Sequence, residues 1–262
     1  MKRHRAGKLG RKMGVSEIGS QVKLSDYLVD PFPVFQQAED FTSGVDEWDG
    51  MLGNDVYGCC GPVGTVRVCQ ANAWTAKEEP AGNVNNAMWP TAAEVVAAYL
   101  AYDDGQDNGV DLGQWLLWCM TNPIGPLPPI GGFAQVSVVE PEYSSALHVF
   151  GALYDGVLIS QEAMDEFEAG EPWTSTATDW VGGHCSPCLK LPKTSGAPNV
   201  PGYGRRYTWS KSWLFTWDWW RATREESYVI FTPAQMNAPS GVFNNVKVAQ
   251  LKADIEKLHG TL

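Results

Sequence analysis

The sequence predicts an α+β fold, with helices in the N-terminal part of the chain and an antiparallel sheet in the C-terminal part. Two observations predict it. Apolar residues recur at helical spacing up to about residue 170, as in the stretch AAEVVAAYLAY at 92–102. Beyond residue 180, the stretches RRYTWSKSWLF and ESYVIFT are rich in the Tyr, Trp and β-branched residues that are typical of strands.

The composition is that of a globular protein. The chain has 262 residues, 44% of them hydrophobic and 19% charged, so it can bury a core in one large domain or in two small ones. No apolar run reaches the roughly 18 to 20 residues that a membrane-spanning helix needs. The basic start MKRHRAGKLGRK continues into polar sequence and not into the apolar segment of a signal peptide. We therefore expect neither a membrane protein nor secretion through a signal peptide.

Residues 1–23 form a basic segment, which we call the arm. It carries seven Lys or Arg and one acid, a formal charge of +6, whereas the rest of the chain carries −17. The arm is predicted to be a disordered tail, a segment folded back on the acidic body, or a docking element for nucleic acid or for a protein partner in an assembly. The negative body argues against a nucleic-acid groove, so nucleic-acid binding is expected at most through the arm.

Helix signals dominate the chain between the arm and residue 170. Pro62 favours a first turn that begins at Cys60, Thr91 opens another helix, and Ser160 can cap a further helical turn. Prolines exclude a helix from 123 to 132. The predicted helices span 60–76, 91–102, 111–120 and 141–156, followed by a short buried strand at 156–160 and a helical turn at 160–170.

The last stretch, NNVKVAQLKADIEKLHG, repeats apolar residues at helical spacing. These residues are separated by 3, 4 and 3 positions, at Val248, Leu251, Ile255 and Leu258. The pattern predicts an amphipathic helix that either packs on its own domain or binds a partner or a second copy. The predicted organisation is the arm at 1–23, a main domain at 24–240 and this C-terminal helix at 241–262.

The stretch LGNDVYGCCGPVG, residues 52–64, contains the features that a nucleophilic thiol needs. Cys60 stands at the predicted start of a helix, where the partial positive charge of the helix end lowers the pKa of a thiol. Asn54, six residues earlier, can fold back and offer its amide N–H to an anion that forms beside the sulfur. This order predicts acyl transfer, with Cys60 as the nucleophile and Cys59 pointing elsewhere.

A nucleophilic thiol also needs a base, and His184 is the candidate. It stands in VGGHC at the entry to a predicted strand, where two glycines allow a substrate or a thiol to approach. The other histidines lie in the arm, on the last helix and on a helix at residue 148 that is predicted to pack. We therefore predict His184 as the general base, with structural packing as its alternative role.

Metal binding and disulfide formation are competing uses of the cysteines. Cys185 and Cys188 form a CxxC beside the histidine, and the vicinal pair at 59 and 60 could complete a zinc site. The same CxxC could be a disulfide or a redox pair. The zinc pattern lacks a second spaced couplet, and six cysteines in a chain of this length indicate mostly reduced thiols. The prediction is therefore no metal and no cofactor.

Several motifs together resemble those of a known group of proteins. The stretches GNDVYGCC, FGALYDGVLIS, GGHC and YTWSKSWLFTWDWW, followed by EESYVIF, occur in this order between about residues 24 and 232. They are similar to motifs in proteins of actinobacteriophages and actinobacteria that have a papain-like cysteine peptidase fold. The resemblance implies Cys60 as nucleophile, His184 as general base and Asn54 in the position of the oxyanion-hole glutamine. It also implies a peptide or other acyl substrate, and a location in the host cytoplasm or the virion.

The third catalytic member does not follow the pattern of that group. Papain-like enzymes orient the histidine with an Asn two residues before a Trp–Gly, whereas here Tyr207 holds that position before Trp209, and a serine replaces the glycine. Asn199 and Asp179 are alternative orienting residues. Two functions therefore stay open at this point. One is a thiol hydrolase or peptidase; the other is a catalytically silent phage structural or interaction protein, held in an assembly by the arm and the C-terminal helix.

Overall fold

The computed structural model describes residues 4–30, 50–75, 89–192, 202–237 and 246–260. Its α-helices are α1 Leu24–Tyr27, α2 Cys60–Thr75, α3 Ala92–Tyr102, α4 Leu112–Cys119, α5 Glu140–Phe150, α6 Gln161–Ala169, α7 Trp217–Thr223, α8 Pro233–Asn237 and α9 Val248–His259. Its strands are β1 Gly132–Gln135, β2 Tyr154–Ser160, β3 Trp180–Cys185, β4 Cys188–Lys190, β5 Gly204–Thr208, β6 Lys211–Phe215 and β7 Arg224–Phe231.

The strands form two antiparallel sheets in the described part of the chain. The larger sheet has the order β1-β7-β2-β3, and the smaller one has the order β4-β5-β6. The α+β prediction is therefore confirmed. The structure also adds an element that the sequence did not reveal. Strand β1, directly after the proline-rich stretch, pairs with β7 near the other end of the chain.

Helix boundaries follow the local signals closely, with one correction. A capping box formed by Thr91 and Glu94 opens α3, and the Ser160 hydroxyl accepts the Ala163 N–H at 3.1 Å to open α6. The helix predicted over 141–156 is too long. Gly151 adopts φ 75°, a left-handed conformation that ends α5, and the chain then enters β2.

Helix α2 packs directly on the larger sheet because its first turns carry glycines. A methyl group at Gly64 would lie 2.5 Å from Cys185 Sγ, and one at Gly61 would lie 3.1 Å from the Tyr154 hydroxyl. These glycines therefore allow the start of α2 to approach β2 and β3 closely. The close packing places Cys60, the first residue of α2, beside the end of β3.

Both terminal segments lie on the body of the protein. Residues 4–23 run along its surface and into it, and Arg11 is buried there. The predicted amphipathic helix is present as α9, whose Leu251 and Ile255 are buried, and the helix packs on α1 and β1. The division at residues 23 and 240 stays a prediction. Within the described ranges, no helix combines the length and the apolar character needed to cross a bilayer.

Candidate active site

Cys60 is buried at the N-terminus of α2, with a relative exposure of 2%. Its Sγ accepts a hydrogen bond from the Cys185 N–H at 3.4 Å. Burial raises the pKa of the Cys60 thiol, while the backbone N–H groups of Cys185, Gly10 and Gly61 and the Arg11 charge oppose that shift. The thiol is therefore neutral in this arrangement, although it is surrounded by donors that would stabilise a thiolate.

His184 lies on β3 with its two ring nitrogens in different situations. Nε2 is hydrogen-bonded to Thr208 Oγ1 at 2.8 Å. Nδ1 is buried and has no hydrogen-bond partner among the described residues. The Trp209 ring packs against the imidazole, with centroids 4.7 Å apart and an angle of 31° between the ring planes. Burial lowers the pKa of His184 to about 3, with smaller contributions from Arg206 and Arg11, so the imidazole is neutral at ordinary pH.

Cys60 and His184 line the same small cavity. Asn54, Thr208 and Trp209 also contribute to its wall. The cavity measures about 10 Å³, which is roughly the space that one water molecule requires. The structure thus brings together the three residues predicted from the sequence, and it leaves no room for a substrate beside them.

The amide of Asn54 is already occupied by hydrogen bonds. Its Nδ2 donates to the Lys8 carbonyl of the arm at 2.9 Å and to the Tyr57 carbonyl at 3.0 Å. The first of these bonds shows that the Asn54 amide can hold a carbonyl oxygen of another segment of the chain. An oxyanion could use this donor only after the Lys8 carbonyl has moved away.

Comparison with known proteins identifies the architecture. No family model and no curated protein matches the chain. Among solved structures, xylellain, a cysteine protease from Xylella fastidiosa, is similar with a TM-score of 0.60 and 12% identity, covering 88% of this chain and 98% of that one. The fold is papain-like.

Two further solved structures have the same likeness. Procathepsin B S9 from Trypanosoma congolense gives a TM-score of 0.55 at 12% identity, covering 83% of this chain and 85% of that one. Digestive procathepsin L 3 from the larval midgut of Tenebrio molitor gives 0.58 at 12% identity, covering 88% and 76%. At this identity the likeness concerns the fold alone.

Within this papain-like fold, the side chain that is hydrogen-bonded to His184 Nε2 is Thr208. The Tyr207 hydroxyl donates to the Gly50 carbonyl at 3.2 Å, and its ring lies under the Arg67 guanidinium at 4.6 Å. Neighbouring residues of a strand point to opposite faces, and the hydroxyls of Thr208 and Tyr207 accordingly reach different partners, His184 and the Gly50 carbonyl. Of the two alternative orienting residues, Asp179 is exposed just before β3, and Asn199 lies outside the described residues.

The remaining cysteines point in different directions. Cys59 Sγ lies 3.9 Å from the Leu52 carbonyl, and Cys188 Sγ lies 3.7 Å from the Lys190 carbonyl. Cys185 Sγ faces Gly64 of α2. Each of the six cysteines is a free, buried thiol, and among the described residues no three His, Cys, Asp or Glu side chains are grouped to hold a metal.

Proposed function

We propose that this chain is a papain-like thiol hydrolase that acts on peptides or other acyl substrates, with Cys60 as nucleophile and His184 as general base. One observation carries the proposal. Thr208 engages one nitrogen of His184, and the other nitrogen is unpartnered in the cavity that Cys60 also lines. A tautomer with its proton on Nε2 donates to Thr208 and leaves the Nδ1 lone pair for the thiol proton.

The reaction uses these groups in turn. Nδ1 of His184 takes the Cys60 proton as the sulfur attacks the acyl carbon, and the electron pair of the carbonyl moves to oxygen. The amide of Asn54 donates to that oxyanion once the Lys8 carbonyl has left it. The carbonyl then re-forms, the imidazolium protonates the departing amine, and an acyl thioester remains on Cys60. A water molecule, deprotonated by His184, attacks the thioester and releases the acid and the thiol.

The proposed source is a phage, as the sequence motifs suggest. A second candidate function is a catalytically silent virion-associated or interaction protein that keeps the same fold. Burial of the site favours this second function, because Cys60 and His184 are 2% and 1% exposed and both are neutral. In that case the arm and α9 would serve an assembly partner.

The two functions differ in whether any product depends on Cys60. The test is incubation of the full chain with a peptide library, with products read by mass spectrometry. We expect cleavage that is lost in Cys60→Ala and in His184→Ala, and retained in Cys59→Ala, which removes the adjacent buried thiol. The test is repeated with a variant in which the arm no longer occupies the Asn54 amide. If no product depends on Cys60 in either chain, the catalytically silent protein is favoured.

A further inference from the structure

A second and much larger pocket lies beyond the end of β1, and we call it the β1 pocket. Lys23, Gln135 and Glu142 line it, together with valines and with the first residues of β7. It measures about 420 Å³, whereas the cavity at Cys60 measures about 10 Å³. Among the described residues, none lines both. Sites for small ligands measure roughly 300 to 1,000 Å³, so the β1 pocket is large enough to hold one.

The pocket forms because three segments separate where β1 ends. The Val136 N–H still donates to the Ser227 carbonyl of β7 at 2.8 Å, and the chain then leaves β7 and continues to α5. On the other edge of β1, the Gln135 N–H donates to the Val22 carbonyl at 2.7 Å, which brings Lys23 to the pocket. The walls therefore belong to elements that are held by main-chain hydrogen bonds on both sides.

The wall formed by β7 is acidic and already hydrogen-bonded. Glu226 accepts from Arg11 through Oε1, and its Oε2 accepts from the Ser16 N–H at 3.0 Å and from the Tyr228 hydroxyl at 2.6 Å. Glu225 also contacts Arg11. One guanidinium thus faces two carboxylates, which leaves one negative charge in excess on this wall.

Three other polar side chains of the pocket are available to a ligand. The Lys23 ammonium, the Gln135 amide and the Glu142 carboxylate form no hydrogen bond and no ion pair with any residue in the described part of the chain. Val15 and Val136 add apolar surface to the same pocket. A cation, an anion, an amide and an apolar wall are complementary to a molecule that has both charges, a peptide bond and an apolar side chain.

We propose that the β1 pocket binds a short zwitterionic peptide, with a dipeptide as its smallest form. The peptide carboxylate pairs with Lys23, its ammonium pairs with Glu142, and Gln135 donates to and accepts from its peptide bond. The excess negative charge on the wall of Glu225 and Glu226 favours the ammonium end. A free amino acid has the same two charges, but it has no peptide bond for Gln135 and leaves most of the pocket empty. This site does not rest on the proposed function, because binding requires no reaction at Cys60.

The test is an NMR titration of the full 15N-labelled chain with the dipeptide valyl-leucine and with two blocked forms, N-acetyl-valyl-leucine and valyl-leucinamide. Amide signals of residues 135–137 report the β1 pocket, and those of Gly61 and Cys185 report the site at Cys60. We expect valyl-leucine to move the pocket signals and each blocked form to bind about fivefold more weakly, as for the loss of one exposed charge pair. The proposal is overturned if the pocket signals do not move at about 10 mM dipeptide, or if the blocked forms bind as tightly as the dipeptide.

Two substitutions identify the end of the peptide that each side chain binds. Lys23→Gln should weaken valyl-leucine about fivefold and leave valyl-leucinamide unchanged, because the amide has no carboxylate for Lys23 to bind. Glu142→Gln should weaken valyl-leucine equally and leave the acetylated form unchanged. Matched controls are Lys12→Gln and Glu171→Gln, at exposed positions outside the pocket, and neither should change a Kd. Equal weakening of the free and the blocked peptides would overturn the assigned contacts.

Free leucine and a Cys60 variant complete the test. We expect leucine to bind about tenfold more weakly than valyl-leucine, because it makes fewer contacts; equal affinities would overturn the choice of a peptide. Cys60→Ala should bind valyl-leucine with the native Kd, so the readout is independent of hydrolysis. A chain that binds the dipeptide and hydrolyses no peptide would contradict the proposed function alone. Hydrolysis without binding at residues 135–137 would contradict the β1 pocket alone.

Discussion

Two buried arginines, Arg206 and Arg11, pair with carboxylates in different parts of the protein. Arg206 on β5 donates to Asp155 on β2 at 2.7 Å, and so joins the smaller sheet to the larger one. Arg11 donates to Glu226 on β7 at 2.8 Å, and so joins the arm to the larger sheet. Both side chains are fully buried, so the chemistry of the two pairs is nearly the same.

The two pairs differ in what surrounds them. Arg206 also donates to the Ser186 carbonyl and lies over the Phe215 ring at 4.7 Å, in a strand that pairs with β4 on one side and with β6 on the other. Arg11 lies in a segment that forms only isolated bridges, to Val110 and to Gly183. Loss of the Arg206–Asp155 pair must disturb the core. After loss of the Arg11–Glu226 pair, by contrast, the arm can detach locally and its charged groups can be hydrated. The same interaction can therefore support global stability at one place and a local opening at another.

The largest effect is expected from breaking the pair in the core. Asp155→Asn leaves the Arg206 charge buried without its carboxylate, which costs about 3 to 5 kcal/mol of unfolding free energy. Urea denaturation followed by tryptophan fluorescence measures this. The control is Arg221→Gln, which breaks pairs of a 46%-exposed side chain with Glu140 and Asp218 and should cost less than about 1 kcal/mol. Similar losses in both variants would show that the core pair contributes no more than a surface pair.

The next effect is a pH dependence of stability that comes from His184. Burial lowers the pKa of this histidine, and Arg206 and Arg11 lower it further. The folded chain keeps this imidazole neutral down to about pH 3, whereas the unfolded chain binds a proton below its ordinary value of 6.5. Stability is therefore lost as pH falls from 6.5 toward 3. Between pH 6.5 and 4.5 the loss should be roughly 2 kcal/mol greater in the native chain than in His184→Asn. Parallel pH profiles for the two chains, measured by urea denaturation, would contradict a buried neutral histidine.

A smaller global effect is expected from breaking the pair that fastens the arm. Arg11→Gln should lower the unfolding free energy by about 1 to 2 kcal/mol, less than Asp155→Asn, because Glu226 regains water when the arm lifts. Hydrogen exchange of the arm amides should accelerate while that of β2 and β5 stays slow. The matched control is Lys12→Gln, which removes a neighbouring exposed charge. Simultaneous acceleration of the arm and both strands in Arg11→Gln would remove the distinction between the two arginines.

The sequence predicted the parts of the site that depend on local signals. The glycine-flanked Cys60 at a helix start, and His184 after two glycines on a strand, follow from short-range rules. Thr208 was missed as the partner of His184. Which residues of β5 point toward His184 depends on the pairing register of that strand, and the presence of Tyr207 in the sequence does not reveal the register. The place of the arm was left open among three alternatives, because it depends on Arg11 and Glu226, which are 215 residues apart. The available signal was a pair of glycines, Gly58 and Gly109, where an added methyl group would meet the backbone of Gly10 in the arm.

The smallest effect concerns Thr208, which lies on the same strand as Arg206, two residues further along. Thr208→Val keeps the shape of the side chain and removes the hydroxyl that holds Nε2 of His184. In a chain whose arm has been displaced from the Asn54 amide, we expect kcat/KM to fall about tenfold, or roughly 1.4 kcal/mol in the transition state, with KM little changed. Thr208→Ser should restore the rate, and the 15N chemical shifts of His184 should report the Nε2-protonated tautomer in the serine variant and in the native chain but not in the valine variant. If serine is as slow as valine, the threonine methyl and not its hydroxyl is what the site requires, and Thr208 would then pack against the histidine without orienting it.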